Sequence, residues 1–502
     1  MIIKELNLRN FRCFENLNIN FQTGETESDA FNFSTQSSDS KVTVLVAKNG
    51  QGKTSILDAV SICLGTFAGK MPDSIGKGFT PADIPSAPGI NMLNRVEKGR
   101  PEVIFSMVFC DTEHNTLKRQ LTDSGKKPTT TIKDVKPLTS YAEKVLKNCN
   151  EYNASTTLPI IAYYGDNRLW GDNVLTKPHL KAMLTRNRKF AYADSMNPKS
   201  GYKEFIKWYA ELVLSVESLK IDLSKHSSLD GVNIKDGNFS PINCAEQVAF
   251  NQITNHQDSY PEITVNKFRD LACCNAYLEA INCVIEKILK ESGWNHIGYD
   301  VIRKEIYATN NNDIAVPVKN LSAGTKTVLG IVADLAYRCC QLNPQLGKNA
   351  PESTTGIVLI DEIELHLHPA WQQRIILDLQ RAFPKIQFII TTHSPQVISS
   401  VPKECIRVIA DGQVIQPEIE TEGARAEQVL NEVFGTDSRV DELPIVKDLN
   451  KYKKLIEEDK WDSQEALELK RRLYENLSSD PELSRMAIDV KVKEYKRGHG
   501  QK

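Results

Sequence analysis

No two cysteines in this sequence form a C-x-x-C pair, although there are 11 of them: Cys273-Cys274 and Cys339-Cys340 are adjacent and the rest are scattered. That spacing suits neither a zinc knuckle nor a disulfide framework and reads as buried free thiols. No apolar run approaches a membrane span, and the opening MIIKELNLRNF lacks a charged n-region followed by a hydrophobic h-region. The expectation is a cytoplasmic chain with no membrane segment. Excess charge is missing too: 62 basic against 64 acidic residues leave a formal charge of -2, so bulk attraction does not forecast nucleic-acid binding. Apolar heptads are nowhere sustained for the turns a long coiled coil needs, which excludes extended hinge arms. What is present is an ordinary globular balance, 40% hydrophobic and 25% charged over 502 residues, enough for one large core or two to three modest ones.

One stretch concentrates chemistry. Residues Val42 to Leu64 read VTVLVAKNGQGKTSILDAVSICL: a β-branched, apolar strand, a glycine-bearing loop, and a helix with a stripe through Ile56, Val60 and Leu64. Gly50 and Gly52 leave room for backbone N–H groups around phosphate oxygens. Lys53 can reach the β and γ phosphates, and the Thr54 hydroxyl can hold Mg²⁺. The pattern G-x-x-x-x-G-K-[ST] has Ala47 at its first glycine, which removes backbone freedom but no charged or metal-binding group.

Three later segments say what happens to a bound nucleotide. GIVLIDE (Gly356–Glu362) reads as a buried parallel strand, with Asp361 reaching Mg²⁺ through water and Glu362 polarising an attacking water. FIITTHSP (Phe388–Pro395) is a second buried strand that ends at His393, where an imidazole can hydrogen-bond the γ-phosphate or the water; a lone histidine at a strand end is otherwise structural. NLSAGTK (Asn320–Lys326) places Ser322 and Gly324 at the start of a helix through Val328, Val332 and Leu335, an ordinary cap or a second anion site.

The remaining chain is read around these. Ile2 to Phe21 alternates about Arg9-Asn10-Phe11-Arg12 as a hairpin, Gln22 to Ser40 is a polar loop, and Pro101 to Cys110 is a strand. LPIIAYYGDNRLW (Leu158–Trp170) is a strand opening into Asp166, Asn167 and Arg168, a site edge or a plain turn. From Gly201 to Leu289 the pattern is helical, broken by a polar stretch from Ser224 to Glu262; alternation returns over Ile297 to Ala308. Beyond Gly423 the chain is helical and highly charged, with Asp462 and Glu465 as a capping pair and Pro481 in a first turn.

These segments, in this order, resemble the ATP-binding cassette ATPases, and among them the branch of SMC, RecF and OLD proteins. The resemblance implies an α/β head with a mixed sheet and an N-terminal β-hairpin, plus an inserted helical region and a helical C-terminal tail. It divides the chain into an N-terminal lobe (1–200), an insertion (201–295), a C-terminal lobe (296–422) and a tail (423–502). It implies Asn49, Gly50, Gly52, Lys53, Thr54 and Ser55 as the Walker A loop on ATP, with Thr54 and Asp361 holding Mg²⁺. By the same likeness Lys53, Glu362 and His393 carry the catalysis, and Ser322 and Gly324 are the signature contacts. Here Ala323 and Thr325 stand where the family's L-S-G-G-Q has glycine and glutamine, which puts the glutamine's contacts in doubt. Arg12 lies near the phosphates by likeness, or in a surface turn by its context. The Q-loop residue stays open between Gln120 and the end of the Leu158–Gly165 strand, with Asn167 or Arg168 substituting. His366 and His368, beside Glu364, sit at the D-loop position; their spacing favours capping or dimer contact over a metal site.

A narrower likeness joins LPIIAYYGDNRLW, AYADSMNPKSGYKEFIKWYAEL, DEIELHLHPAWQ and TTHSPQ to the PtuA-type ATPase subunits of Septu and retron-linked antiphage systems. It implies an ATPase that controls a separate HNH-type nuclease through ATP-dependent head-to-tail pairing, as a homodimer or higher homo-oligomer. Further partners by that likeness are DNA, or a retron reverse transcriptase with its msDNA. No Asp-x-Asp pair follows His393 for a Toprim nuclease, so the chain is not expected to cut DNA itself. The alternatives are a RecF- or SMC-like repair ATPase and an ATP-bound scaffold that inhibits a nuclease with little turnover.

Overall fold

The computed structural model describes residues 1–21, 41–71, 74, 76–84, 101–109, 114–122, 129–131, 133–150, 156–166, 188–198, 202–225, 262–437 and 439–499. The chain separates into two compact units, 1–429 and 430–502.

Within the larger unit, a six-stranded sheet runs in the order β14-β13-β3-β12-β11-β7, from Gln413–Ile415, Ile406–Ala410, Val42–Ala47, Ile386–Thr392, Gly356–Ile360 and Ile160–Tyr164. Neighbours are parallel except β13 and β14. Every residue of β3, β7, β11 and β12 is buried, as expected of near-continuous apolar strands covered on both faces. Register sets which strand ends meet. Thr392 of β12 lies opposite Val46 of β3, and Ile390 opposite Ile360 of β11, so the loop after Ala47, Asp361 and His393 leave the sheet side by side. Ligands of parallel sheets bind outside these carboxyl ends.

The hairpin strands β1 (Ile2–Phe11) and β2 (Phe14–Asn20) belong to a second, antiparallel sheet with β4 (Glu102–Val108), β5 (His114–Thr122) and β6 (Thr129–Thr130). The fully buried Gln387 side chain joins the two sheets by accepting from Ile3 N (2.8 Å) and donating to Ile3 O (2.7 Å). The polar loop read at Gln22–Ser40 lies outside the described residues.

The helices Lys203–Lys225 and Glu262–Leu289 flank a three-stranded sheet of β8 (Trp294–Asp300), β9 (Glu305–Asn310) and β10 (Ala315–Pro317). They also pack on the helix Ala323–Leu342, where Trp208 Nε1 donates to Gln341 Oε1 (3.0 Å). That helix carries a buried ion pair: Arg338 Nε donates to Asp334 Oδ2 (2.7 Å), which also accepts from Tyr164 OH of β7 (2.7 Å), with both charged side chains 5% exposed or less. Asp334→Ala leaves the Arg338 guanidinium buried and unpaired. Its expected cost is about 3 to 5 kcal/mol, read as a lower denaturant midpoint of the full chain.

In the smaller unit the helices Pro444–Glu457, Gln464–Leu477 and Pro481–His499 enclose Leu449, Tyr452, Trp461, Leu469, Leu473 and Met486. The capping pair moves by one residue from its expected place. Helix Gln464–Leu477 starts so that Ser463, not Asp462, has its oxygen within reach of the N–H three residues on, at Ala466 (3.2 Å). Asp462 instead accepts from Arg497 (2.7 Å), and Glu465 pairs with Lys451. Pro481 does occupy a first turn, capped by Asp480 through Glu482 N (2.9 Å) and Leu483 N (3.2 Å). Among the described residues no helix is long and apolar enough to cross a membrane.

Candidate functional site

The phosphate loop turns where glycine allows it. Gly50 and Gly52 have φ of 80° and 91°, in the left-handed region that side chains resist, whereas Ala47 is the last residue of β3 and is not among the positive-φ residues. The alanine at the motif's first glycine therefore needs no special backbone freedom. Gly52 precedes the helix Lys53–Ala68, whose N-terminus no side chain caps, and a Cβ on Gly50 would meet nothing within 4 Å. The first-turn N–H groups and the space before them suit an anion. Asn49 and Gly50 are exposed, Gln51 and Gly52 are partly buried, and Thr54 is exposed just beyond.

Lys53 is buried and its Nζ lies 3.1 Å from Ala47 O and 2.5 Å from His393 Nε2. Burial lowers its pKa, while Asp361, Glu362 and Glu364 act to raise it. Burial, and then the Lys53 charge, lower that of His393 as well; a neutral ring accepts at Nε2 from the lysine. Thr54 Oγ1 donates to Asp361 Oδ2 at 2.8 Å. The Thr54 hydroxyl and the Asp361 carboxylate thus offer oxygens side by side, a donor set that suits Mg²⁺: the hydroxyl would hold the ion and the carboxylate would reach it through water.

The two acids after β11 are held differently. Asp361 is buried, and its Oδ1 accepts from Thr391 Oγ1 (2.5 Å); the same Thr391 hydroxyl accepts from Glu362 N (2.8 Å). Glu362 sits at φ 46°, a left-handed conformation that a glutamate rarely adopts and that marks a constrained turn. Burial, helped by Asp361, Glu364 and Asp166 and opposed by Lys53, raises its pKa, so it holds a proton more readily than a free glutamate does.

Ser322 and Gly324 lie elsewhere on the chain's bonding map. Ser322 caps the helix Ala323–Leu342 by accepting from Thr325 N (3.2 Å), with its hydroxyl 2.8 Å from that of Thr325. Gly324 approaches the loop after β11 so closely that a Cβ there would stand 2.5 Å from His366 O. His368 Nδ1 caps the short helix Pro369–Gln372 by accepting from Ala370 N (3.3 Å), and no group of three metal-ligating side chains occurs among the described residues.

Arg12 reaches the first turns of the Walker helix. Its guanidinium donates to Asp83 (2.8 Å), Asp58 (2.8 Å) and Ser55 Oγ (3.4 Å), so two carboxylates already take its charge beside the loop. Gln120 lies inside β5, opposite Glu102 of β4. Asn167 and Arg168 lie outside the described residues. Sequence reasoning passed over Thr391 and Thr392, and it named Glu364 only beside His366 and His368. Their signals were two hydroxyls in succession before His393 and a third acid two residues after Glu362.

An AAA domain model matches residues 5–257, half of the chain, and a second AAA domain model matches 222–399. The chain belongs to the AAA domain family. An AAA chain with this assembled loop and paired acids is a nucleotide-binding ATPase. This AAA chain is similar to the Retron Ec83 probable ATPase of Escherichia coli, 27% identical over 99% of this chain and 87% of that protein. It is similar as well to the Retron Vc95 probable ATPase of Vibrio cholerae, 26% identical over 87% and 82%. Septu protein PtuA of Bacillus mycoides is 37% identical over a shorter stretch, 24% of this chain and 14% of that protein. The SMC head domain of Thermotoga maritima aligns with 84% of this chain and 100% of its own at 14% identity, with a TM-score of 0.37, too loose a likeness to argue from.

Proposed function

We propose that this ATPase is a subunit of an antiphage defence complex, that two copies close head to tail on ATP, and that closure governs a separate nuclease. Likeness over nearly the whole chain to a retron ATPase supports the defence setting. One observation supports the pairing: Lys53 bonds His393 and Thr54 bonds Asp361 where the strands end, while among the described residues the Ser322 hydroxyl bonds within its own helix start. A signature hydroxyl so placed is available to a twin's nucleotide.

Bound Mg²⁺ would neutralise charge on the β and γ phosphates from Thr54 and Asp361. Lys53 would add its ammonium on the same oxygens, leaving His393 to hold the γ-phosphate or the water. Glu362 would take the proton of that water, a role its raised proton affinity suits. We assign the helical tail 423–502 to partner docking. The scaffold alternative draws on Thr325, whose hydroxyl lies against Ser322 where the family pattern has a glutamine.

Complementation tests the pairing. Lys53→Ala and Ser322→Arg should each be inactive alone, and mixing them should recover turnover, because one composite site then has all its parts. No recovery on mixing counts against trans assembly. Turnover measured with and without a candidate HNH nuclease and DNA separates the controlling ATPase from the scaffold, and salt-sensitive DNA binding by the ATPase alone would favour the repair alternative.

A further inference from the structure

We propose that Glu364 is a positioning residue of the reaction, one that sets His393 and ties it to the signature helix of the same chain. This rests on the ATPase reading above. Glu364 spends both carboxylate oxygens on the turn where β12 ends: Oε1 accepts from His393 N (2.5 Å) and Oε2 from Thr392 Oγ1 (2.8 Å). Charge-assisted bonds to a backbone N–H and a hydroxyl fix a turn more firmly than neutral ones. The backbone of His393 is thereby set, and its ring meets Lys53 Nζ.

The alternating pleat divides the work between the two threonines. Thr391 and Thr392 point to opposite faces of β12, so Thr391 serves Asp361 and Glu362 while Thr392 serves Glu364. Glu364 also belongs to the short run that begins at Asp361, bonded to Thr54, and reaches His366, whose carbonyl lies against Gly324. A movement of helix Ala323–Leu342 must press on His366, two residues from Glu364. Packed interfaces transmit such displacements because they cannot deform freely. The run thus links the motif expected to meet a second copy with the histidine that meets Lys53.

The test uses the full chain with ¹⁵N-labelled histidine, the His393 imidazole signals being assigned by their loss in His393→Gln. In nucleotide-free protein, Glu364→Ala should move those signals. Turnover should fall by about tenfold or more while KM for ATP stays within about threefold. Glu364→Gln, which retains a carbonyl acceptor on the same skeleton, should recover part of both. Unmoved His393 signals overturn the proposal, as does an equal loss of ATP affinity and turnover that glutamine does not recover. Should Glu364→Ala fail to fold, Thr392→Val removes one of the two contacts without stranding a charge, and must move the same signals. Gly324→Ala forces its new methyl against His366 O and should move them too; if it does not, the link to the signature helix is wrong. A wild-type chain without turnover would defeat the ATPase reading, whereas the imidazole signals would still decide the role of Glu364.

Discussion

Glu362→Gln should cut ATP turnover by at least about 100-fold and leave the chain nucleotide-loaded and self-associated, because a positioned general base contributes roughly that factor or more. The change is nearly isosteric. The Glu362 N–H to Thr391 Oγ1 bond belongs to the backbone and survives it, as does the Thr54 to Asp361 contact. What disappears is an acceptor for a proton at a position where burial and neighbouring carboxylates already favour proton uptake. ATP binding, carried by the loop and Lys53, should persist, and sedimentation with ATP should show the associated species accumulating. A variant that hydrolyses ATP at the normal rate would move the base elsewhere, with Asp166 the next acid to test.

Lys53→Ala should weaken ATP binding by about 10- to 100-fold, since a hydrogen bond to a charged group contributes about 1.5 to 3 kcal/mol. The effect has a second part. With its ammonium gone, the buried Ala47 O and the half-buried His393 ring lose the group that now lies 3.1 Å and 2.5 Å from them. Titration with a fluorescent ATP analogue separates the two: lost affinity with an unchanged unfolding midpoint assigns the lysine to phosphate. Unchanged affinity would mean that the loop's N–H groups hold the nucleotide unaided.

The parts of this site that were readable are those whose meaning is local. A β-branched run, glycines at 50 and 52, Lys53 and Thr54 need only a few neighbours to define a strand, a turn and a helix start. Strand ends at Asp361 and His393 were readable for the same reason, since a wholly apolar run in a parallel sheet stops where polar residues begin. Other features were out of reach. The partners of Arg12 are Asp58 and Asp83, far along the chain and set by how the hairpin turn docks on the Walker helix. The insertion read at Gly201–Leu289 gives no sign in its own pattern that its two described helices pack against the signature helix.

Sequence alone determined the chemistry on offer: a lysine and a hydroxyl at a glycine turn, two acids after one buried strand, a histidine after another. The order of strands in the sheet decided the rest. Because β12 lies between β3 and β11 with Thr392 opposite Val46 and Ile390 opposite Ile360, residues hundreds of positions apart emerge within hydrogen-bond reach. No tight turn joins these parallel strands to fix their register, and their wholly buried runs carry no alternation to mark it; for that reason the web joining Thr391, Thr392 and Glu364 to the acids and the histidine belongs to the tertiary structure.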